Sequence, residues 1–316
     1  MYKWVYFWKI SEPSGDYRPV VLVTGCSSGI GMAIAKKLYE VNRFRVVITS
    51  REKSLGVLKN HFSENENFLI LDLDVMNEGS RKKLIDAVQE RWGRIDILIN
   101  NAGICYRSVL EEMQDKDEEI QMATNYFGPV SLIRHVLPYM RKNGRGKIIN
   151  ISSVSGMLAM PTMASYSASK FALEGAMEAL WYETKPFGIN VSLVQPGFVR
   201  SKSYERVKFS VRSQISNRLE RPYSDMYREM IPFIERLMNW GLVTPEDIAN
   251  LVYDVIKTKN PPLWVPASID AEFFYYLKRI FPRRLLMPFF FSLLPNSKNW
   301  CRGYKVEQTK NLSEFF

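Results

Sequence analysis

Residues 20–31 read VVLVTGCSSGIG. Four apolar residues, Val20 to Val23, stop at Thr24-Gly25, and Gly29-Ile30-Gly31 follows three residues later. Ile34, Ala35, Leu38 and Val41 then recur at helical spacing. The local reading is a buried strand, a glycine-rich turn and a helix. Such a turn leaves unpaired backbone N–H groups and the positive end of a helix dipole aimed at one spot, which suits a phosphate. Gly25, Gly29 and Gly31 permit close approach, Ile30 lies between the last two, and Ser27 and Ser28 add hydroxyl donors. The spacing is Gly-x-x-x-Gly-x-Gly, which departs from the Walker pattern and from the commonest dinucleotide spacing.

Working outward, short apolar segments alternate with helical ones. Strands are expected at 45–50, 68–75, 95–103, 147–152, 190–194 and 263–265, and helices at 78–92, 117–140 and 165–187. This rhythm predicts βαβ units, a parallel sheet and a doubly wound α/β fold with ligands at the carboxyl ends of the strands. The expected organisation is a leader at 1–17, a Rossmann-type domain at 18–267 and a basic, aromatic extension at 268–316. One stretch breaks the rhythm: residues 198–240, rich in Met and aromatics among charges, form a long insertion at the ligand-bearing edge. That is where a lid would sit, and a plain packing helix is the other reading.

The bulk numbers narrow the field. With 316 residues and 46% hydrophobic content the chain can bury a large core, so disorder is not expected. Three cysteines (Cys26, Cys105, Cys301) and two histidines are scattered, giving neither a disulfide framework nor a metal cluster, and a reducing, cytoplasmic setting is expected. The net charge of +10 belongs to no nucleic-acid module; an anionic membrane surface and simple solubility are the two readings left. Residues 1–10 are aromatic but interrupted by Lys3 and Lys9, and the apolar run 285–295 is broken by Pro288, so neither reaches the twenty or so residues of a membrane span. The N-terminus also lacks the apolar core and cleavage site of a signal peptide.

The chemistry centres on Tyr166-Ser167-Ala168-Ser169-Lys170. Tyr and Lys four apart share a helix face, so the ammonium can lie beside the phenol and stabilise its anion. A free tyrosine titrates near pH 10, and such a neighbour brings it within reach of acid–base work. Ser153 closes the strand upstream, where a hydroxyl can hold a carbonyl oxygen for protonation by Tyr166.

Taken together, TGCSSGIG, the NNAG of Asn100 to Gly103, Asn125, Ser153, YSASK and the PGFVRS that begins at Pro196 resemble the short-chain dehydrogenase/reductase family in order and spacing. The resemblance covers roughly residues 18–266. It implies Tyr166 as acid–base residue, Ser153 as the group orienting the carbonyl, and Lys170 as the residue that lowers the Tyr166 pKa and holds the nicotinamide ribose. It places Asn125 beside a water relaying protons to Lys170. Asn101, Ala102 and Gly103 would line the adenine ribose side, and Asp74 and Val75 would meet the adenine ring. Pro196, Gly197, Val199 and Ser201 would hold the carboxamide, with Ser201 standing where the family more often has Thr. A homodimer or homotetramer through the helices at 117–140 and 165–187 is also implied.

Dinucleotide folds that prefer NAD place an acid about twenty residues beyond the last glycine, on the ribose 2′-hydroxyl. Here Ser50-Arg51 occupies that place, and a guanidinium attracts a 2′-phosphate. NADP(H) is therefore expected over NAD(H), although Glu52 follows. Residues 271–295, AEFFYYLKRIFPRRLLMPFFFSLLP, could lie in a membrane interface or pack on the domain or a second subunit. The outline resembles the retinol and 17β-hydroxysteroid dehydrogenase branch, which implies a lipophilic alcohol or carbonyl as substrate. The rivals are an NAD-linked enzyme for a polar carbonyl and a dinucleotide-binding sensor without turnover.

Overall fold

The computed structural model describes residues 17–201, 206–216 and 221–300. The expected leader, apart from Tyr17, and the end of the extension with Cys301 lie outside the described residues, as do 202–205 and 217–220 of the insertion.

The strands β1 (Val20–Val23), β2 (Arg45–Ser50), β3 (Phe68–Asp72) and β4 (Ile97–Asn100) all belong to one sheet. A short β5 (Tyr106–Arg107) follows, and then β6 (Gly146–Ile151) and β7 (Ile189–Gln195). The chain ends its strands with β8 (Lys208–Phe209) and β9 (Trp264–Pro266). The large sheet is parallel throughout, ordered β3-β2-β1-β4-β6-β7-β9. The order reverses between β1 and β4, and that reversal opens a crevice at their carboxyl ends. All seven expected strands are present. The third ends at Asp72, because Asp74 Oδ1 accepts from the Met76 N–H and turns the chain.

Strand alternation builds a core on each side of the sheet. Val21 and Val23 face α1 (Gly29–Val41) and α9 (Pro245–Lys257), meeting Ile34, Leu38, Ile248, Val252 and Val255. Val20 and Leu22 face the other way, toward α3 (Glu78–Trp92), α5 (Gly128–Lys142) and α6 (Ala164–Thr184), meeting Leu84, Val88, Leu132, Val136 and Leu173. Each such fully buried aliphatic side chain contributes about 1.5–3 kcal/mol of transfer free energy. Thr244 starts α9 with a reciprocal capping box to Asp247, as the Thr-Pro-Glu-Asp sequence dictates.

Two features were not expected. β5 and β8 pair in parallel as a small separate sheet beside the crevice. The helix expected at 117–140 is instead α4 (Asp115–Met122), a π-helical turn at Ala123–Phe127 and α5 in unbroken succession. The insertion forms α7 (Val211–Ser216) and α8 (Ser224–Trp240), and the extension forms α10 (Ile269–Ile280) and α11 (Arg283–Leu293). The inner side of α10 packs through Ala271, Phe274 and Tyr275 on Val154 and Met157, so part of the extension covers the domain itself.

Candidate active site

The glycine turn between β1 and α1 is held from behind. Gly25 adopts φ +72°, and a Cβ there would lie 2.7 Å from Ala102 Cα. At Gly31 a Cβ would lie 2.3 Å from both the Asn101 amide nitrogen and the Gly25 carbonyl oxygen. Asn101 Nδ2 donates to the carbonyls of Thr24 (3.0 Å) and Gly25 (2.9 Å), while Thr24 Oγ1 accepts from the N–H groups of Asn101 and Ala102. The Asn101 amide thus fastens the phosphate-type turn, with Ala102 and Gly103 following it at the end of β4. Gly31→Ala is expected to lower stability by about 1–3 kcal/mol, read by chemical denaturation, because both atoms it would strike are fixed.

The front of the turn suits a dinucleotide phosphate. Gly29, at φ +55°, has open space where its Cβ would be. No side chain caps α1, its first turn carries no acid, and Ser27 and Ser28 are partly exposed. The first N–H groups of α1 therefore face the crevice without an internal partner. Arg51 is exposed just past β2, and Asp74 and Val75 follow β3, Val75 being buried with its carbonyl bonded by Arg81 (2.6 Å). On the far side, the Pro196 carbonyl accepts from the Val154 N–H (2.8 Å). The Gly197 N–H donates to Ser268 Oγ (3.0 Å), and the Phe198 N–H donates to Asp270 Oδ2 (2.8 Å). Val199 is buried and bridges to Val243, with the half-buried Ser201 two residues on.

The four chemical side chains converge where β4, β6 and α6 meet. Ser153 follows β6 as the cap of the 3₁₀ turn Val154–Gly156, its Oγ accepting from the Ser155 N–H (3.1 Å). Tyr166 and Lys170 sit one turn apart on α6, with the ammonium 5.9 Å from the phenol ring centroid. Lys170 is buried, and its Nζ donates to the Ile151 carbonyl (2.9 Å). Asn125 lies in the π turn, buried. Its Nδ2 donates to the Ile104 carbonyl and Ser169 Oγ, and its Oδ1 accepts from the Ile104 N–H. The wider loop turns the Asn125 side chain away from the regular helical row and into the site. A Cβ at Gly103 would lie 3.3 Å from Asn125 Oδ1 and 3.9 Å from Lys170 Nζ, which sets all three around one point.

Burial governs the protonation states. It raises the Tyr166 phenol, Cys105 adds to that, and Ser153 works in the opposite direction. The same burial pushes Lys170 down to about 8, against the pull of Glu174 and Cys105. Burial keeps the Tyr166 phenol a protonated donor. Lowering its pKa, the role expected of Lys170, needs the ammonium to stay charged.

Glu174 escaped the sequence reading. It continues the row Tyr166, Lys170, Glu174 at four-residue steps and is half-buried. Ser152 Oγ (2.6 Å) and Gln195 Nε2 (2.9 Å) donate to its Oε1. Burial raises its carboxyl, while those two donors, Lys278 and Lys170 favour the anion. Glu174 thereby ties the ends of β6 and β7 to the helix that carries Tyr166.

Tyr166 packs in an apolar cluster. Met160, Met163 and Cys105 enter it from the domain, Met226, Met230, Phe233, Ile234 and Met238 from α8, and Leu294 and Trp300 from the extension. Asn296 Nδ2 donates to Glu229 Oε1 (2.8 Å), joining the extension to α8.

A parallel sheet with a glycine cradle at its switch point, facing a Ser-Tyr-Lys-Asn group, defines a dinucleotide-dependent oxidoreductase. The chain belongs to the short chain dehydrogenase family, whose model matches residues 19–209. It is 37% identical to 3-ketodihydrosphingosine reductase of Bacteroides thetaiotaomicron, over 77% of this chain and 85% of that one. It is 32% identical to retinol dehydrogenase 8 of Bos taurus, over 78% and 81% respectively. Among solved structures, a short-chain dehydrogenase from Streptomyces avermitilis superposes with a TM-score of 0.71 at 30% identity, covering 88% of this chain and 98% of its own. A metagenomic short-chain oxidoreductase in complex with NADP gives 0.58 at 27% identity, covering 79% and 96%. A nicotinamide dinucleotide is accordingly the cofactor, and the reaction is an NAD(P)-dependent oxidation or reduction of a small molecule.

Proposed function

We propose that the chain interconverts a lipophilic alcohol and its aldehyde or ketone, with NADP(H) preferred over NAD(H). The observation that carries this is the apolar cluster around Tyr166, in which five methionines and Phe233 from the domain and the insertion pack with Leu294 and Trp300 of the extension. Such a cluster favours an apolar substrate and offers a sugar few hydrogen-bond partners. The dinucleotide supplies the hydride. Ser153 orients the carbonyl oxygen, Tyr166 gives or takes its proton, Lys170 holds the charge beside the phenol and Asn125 fixes the route from Lys170 to solvent. The insertion acts as lid through α8, and the extension straps it down through Asn296 and Glu229.

The test is nicotinamide absorbance during turnover, with NADPH and NADH each offered retinal, a keto-steroid, a long-chain aldehyde and a sugar ketone. Oxidation of NADPH with a lipophilic carbonyl supports the reading. Turnover of the sugar ketone alone would replace it with the polar-substrate alternative, and tight cofactor binding without turnover with any of the four would favour the sensor.

The extension also supports peripheral membrane contact. Among the described residues no helix is long and apolar enough to cross a bilayer. Phe273, Tyr276, Ile280, Phe281, Met287, Phe289 and Phe291 are nonetheless exposed, alongside Arg279, Arg284 and Lys298. Aromatics that enter the interface beside cations that meet headgroups suit an anionic leaflet. Flotation with phosphatidylserine-containing vesicles is expected to carry the protein upward, with little binding to neutral ones. Serine at Phe273, Phe289 and Phe291 together is expected to weaken binding about a hundredfold. A cytoplasmic enzyme at a membrane surface follows. The outward Phe127, Phe171 and Tyr182 near α5 and on α6 support a homodimer or homotetramer through those helices.

A further inference from the structure

Arg107, on β5, is only 6% exposed. Its guanidinium makes no hydrogen bond or ion pair with any described residue, and its Nε is buried without an acceptor. A buried cation without an acceptor is costly, so the fold keeps it at the expense of stability. Side chains alternate across a strand. Tyr106 points one way, beneath the Lys208 ammonium and toward Asp117. Cys105 and Arg107 share the opposite side, and Cys105 packs in the apolar cluster that holds Tyr166. The acid that acts on Arg107 is Glu235 of α8, which forms no ion pair with it. Arg107 is therefore a charged group next to Cys105, at the edge of the apolar cluster that holds Tyr166.

We propose that Arg107 binds an anionic group, a carboxylate or a phosphate, carried by the otherwise lipophilic substrate. A fork of guanidinium donors matches either group, and desolvation beside the apolar cluster strengthens the pairing. The substrate class narrows to amphipathic carbonyl compounds or alcohols with an acidic end. This rests on the proposed reading that the substrate binds at the apolar cluster around Tyr166.

The experiment compares three long-chain ketones of equal length with the full-length enzyme and NADPH. One is neutral, one bears a terminal carboxylate and one a terminal phosphate. The wild type is expected to prefer at least one acidic ketone over the neutral one by about tenfold or more in kcat/KM, and the larger ratio identifies the headgroup. Arg107→Met is expected to bring that ratio to about one, while Arg107→Lys keeps part of it. Without ligand, Arg107→Met is expected to melt at a higher temperature than the wild type, since it removes an unpaired buried charge. Equal turnover of all three ketones by the wild type would overturn the proposal. So would a lower melting temperature for Arg107→Met that Glu235→Gln reproduces, which would make the two a structural pair. If no ketone is turned over, the reaction reading fails, and thermal shifts of the NADPH complex decide on Arg107. Stabilisation by an acidic ketone in the wild type, absent in Arg107→Met, upholds the site, and its absence in the wild type overturns it.

Discussion

Tyr166→Phe is expected to lower kcat by about 10²–10⁴-fold in both directions while leaving dinucleotide affinity within a small factor. The ring that packs in the apolar cluster stays, and only the hydroxyl proposed to move the proton is lost. The pH dependence discriminates further. Burial keeps the phenol protonated, and the Lys170 amine is pushed down to about 8 by the same burial. Below that pH Lys170 carries its charge and stabilises the phenolate formed when Tyr166 gives up its proton. Above it the ammonium is lost, and the phenolate stands in an apolar wall without a counter-charge. Reduction of a carbonyl is therefore expected to hold a plateau below about pH 8 and to fall above it. Lys170→Met should show a low rate with no such step. A wild-type profile that stays flat through pH 8 would remove Lys170 from this role. Steady-state rates across a pH series, with circular dichroism to verify folding, provide the measurement.

How much of this was legible in the chain depends on whether a feature is local. Each strand of the sheet announces itself as a short apolar run, because a strand buried on both faces has no polar positions to spare. Tyr166 and Lys170 are legible because one helical turn fixes their juxtaposition whatever surrounds them. The π turn at Ala123–Phe127 is not, since a single wide loop leaves the apolar spacing on either side intact. β5 and β8 have two residues each, too few for any period to show. Glu174 sits at a visible interval from Lys170, yet a glutamate on a long helix ordinarily faces water. Its burial is decided by Ser152 and Gln195, which arrive from two distant strands. Arg107 reads as a loop cation for the same reason. The extension divides along its length, with α10 turned inward at Ala271 and α11 mostly outward, a distinction composition cannot draw because both helices are apolar and basic.

Arg51→Asp is expected to reverse cofactor preference, lowering the ratio of kcat/KM for NADPH to that for NADH by about a hundredfold. The reasoning begins with β2, whose last residue Ser50 is buried and pairs with Asp72 of β3. The chain leaves the sheet directly after it, so Arg51 stands exposed at the carboxyl edge of the sheet. It makes no hydrogen bond through its side chain to any described residue, and it is therefore able to meet a ligand. A 2′-phosphate there gains a charge-assisted fork of hydrogen bonds, and a ribose 2′-hydroxyl gains far less. Aspartate inverts both terms, since it repels the phosphate and accepts from the hydroxyl. Glu52 supplies the internal comparison. It begins the 3₁₀ turn that follows and is exposed as well. If Arg51 sets the preference, Glu52→Gln leaves the ratio within about threefold, since a screened surface charge contributes under about 1 kcal/mol. If Glu52 reaches the ribose instead, the wild type itself favours NADH and Glu52→Gln shifts the ratio toward NADPH. Initial rates with the two reduced cofactors, for the wild type and both variants, decide between the two residues in one experiment.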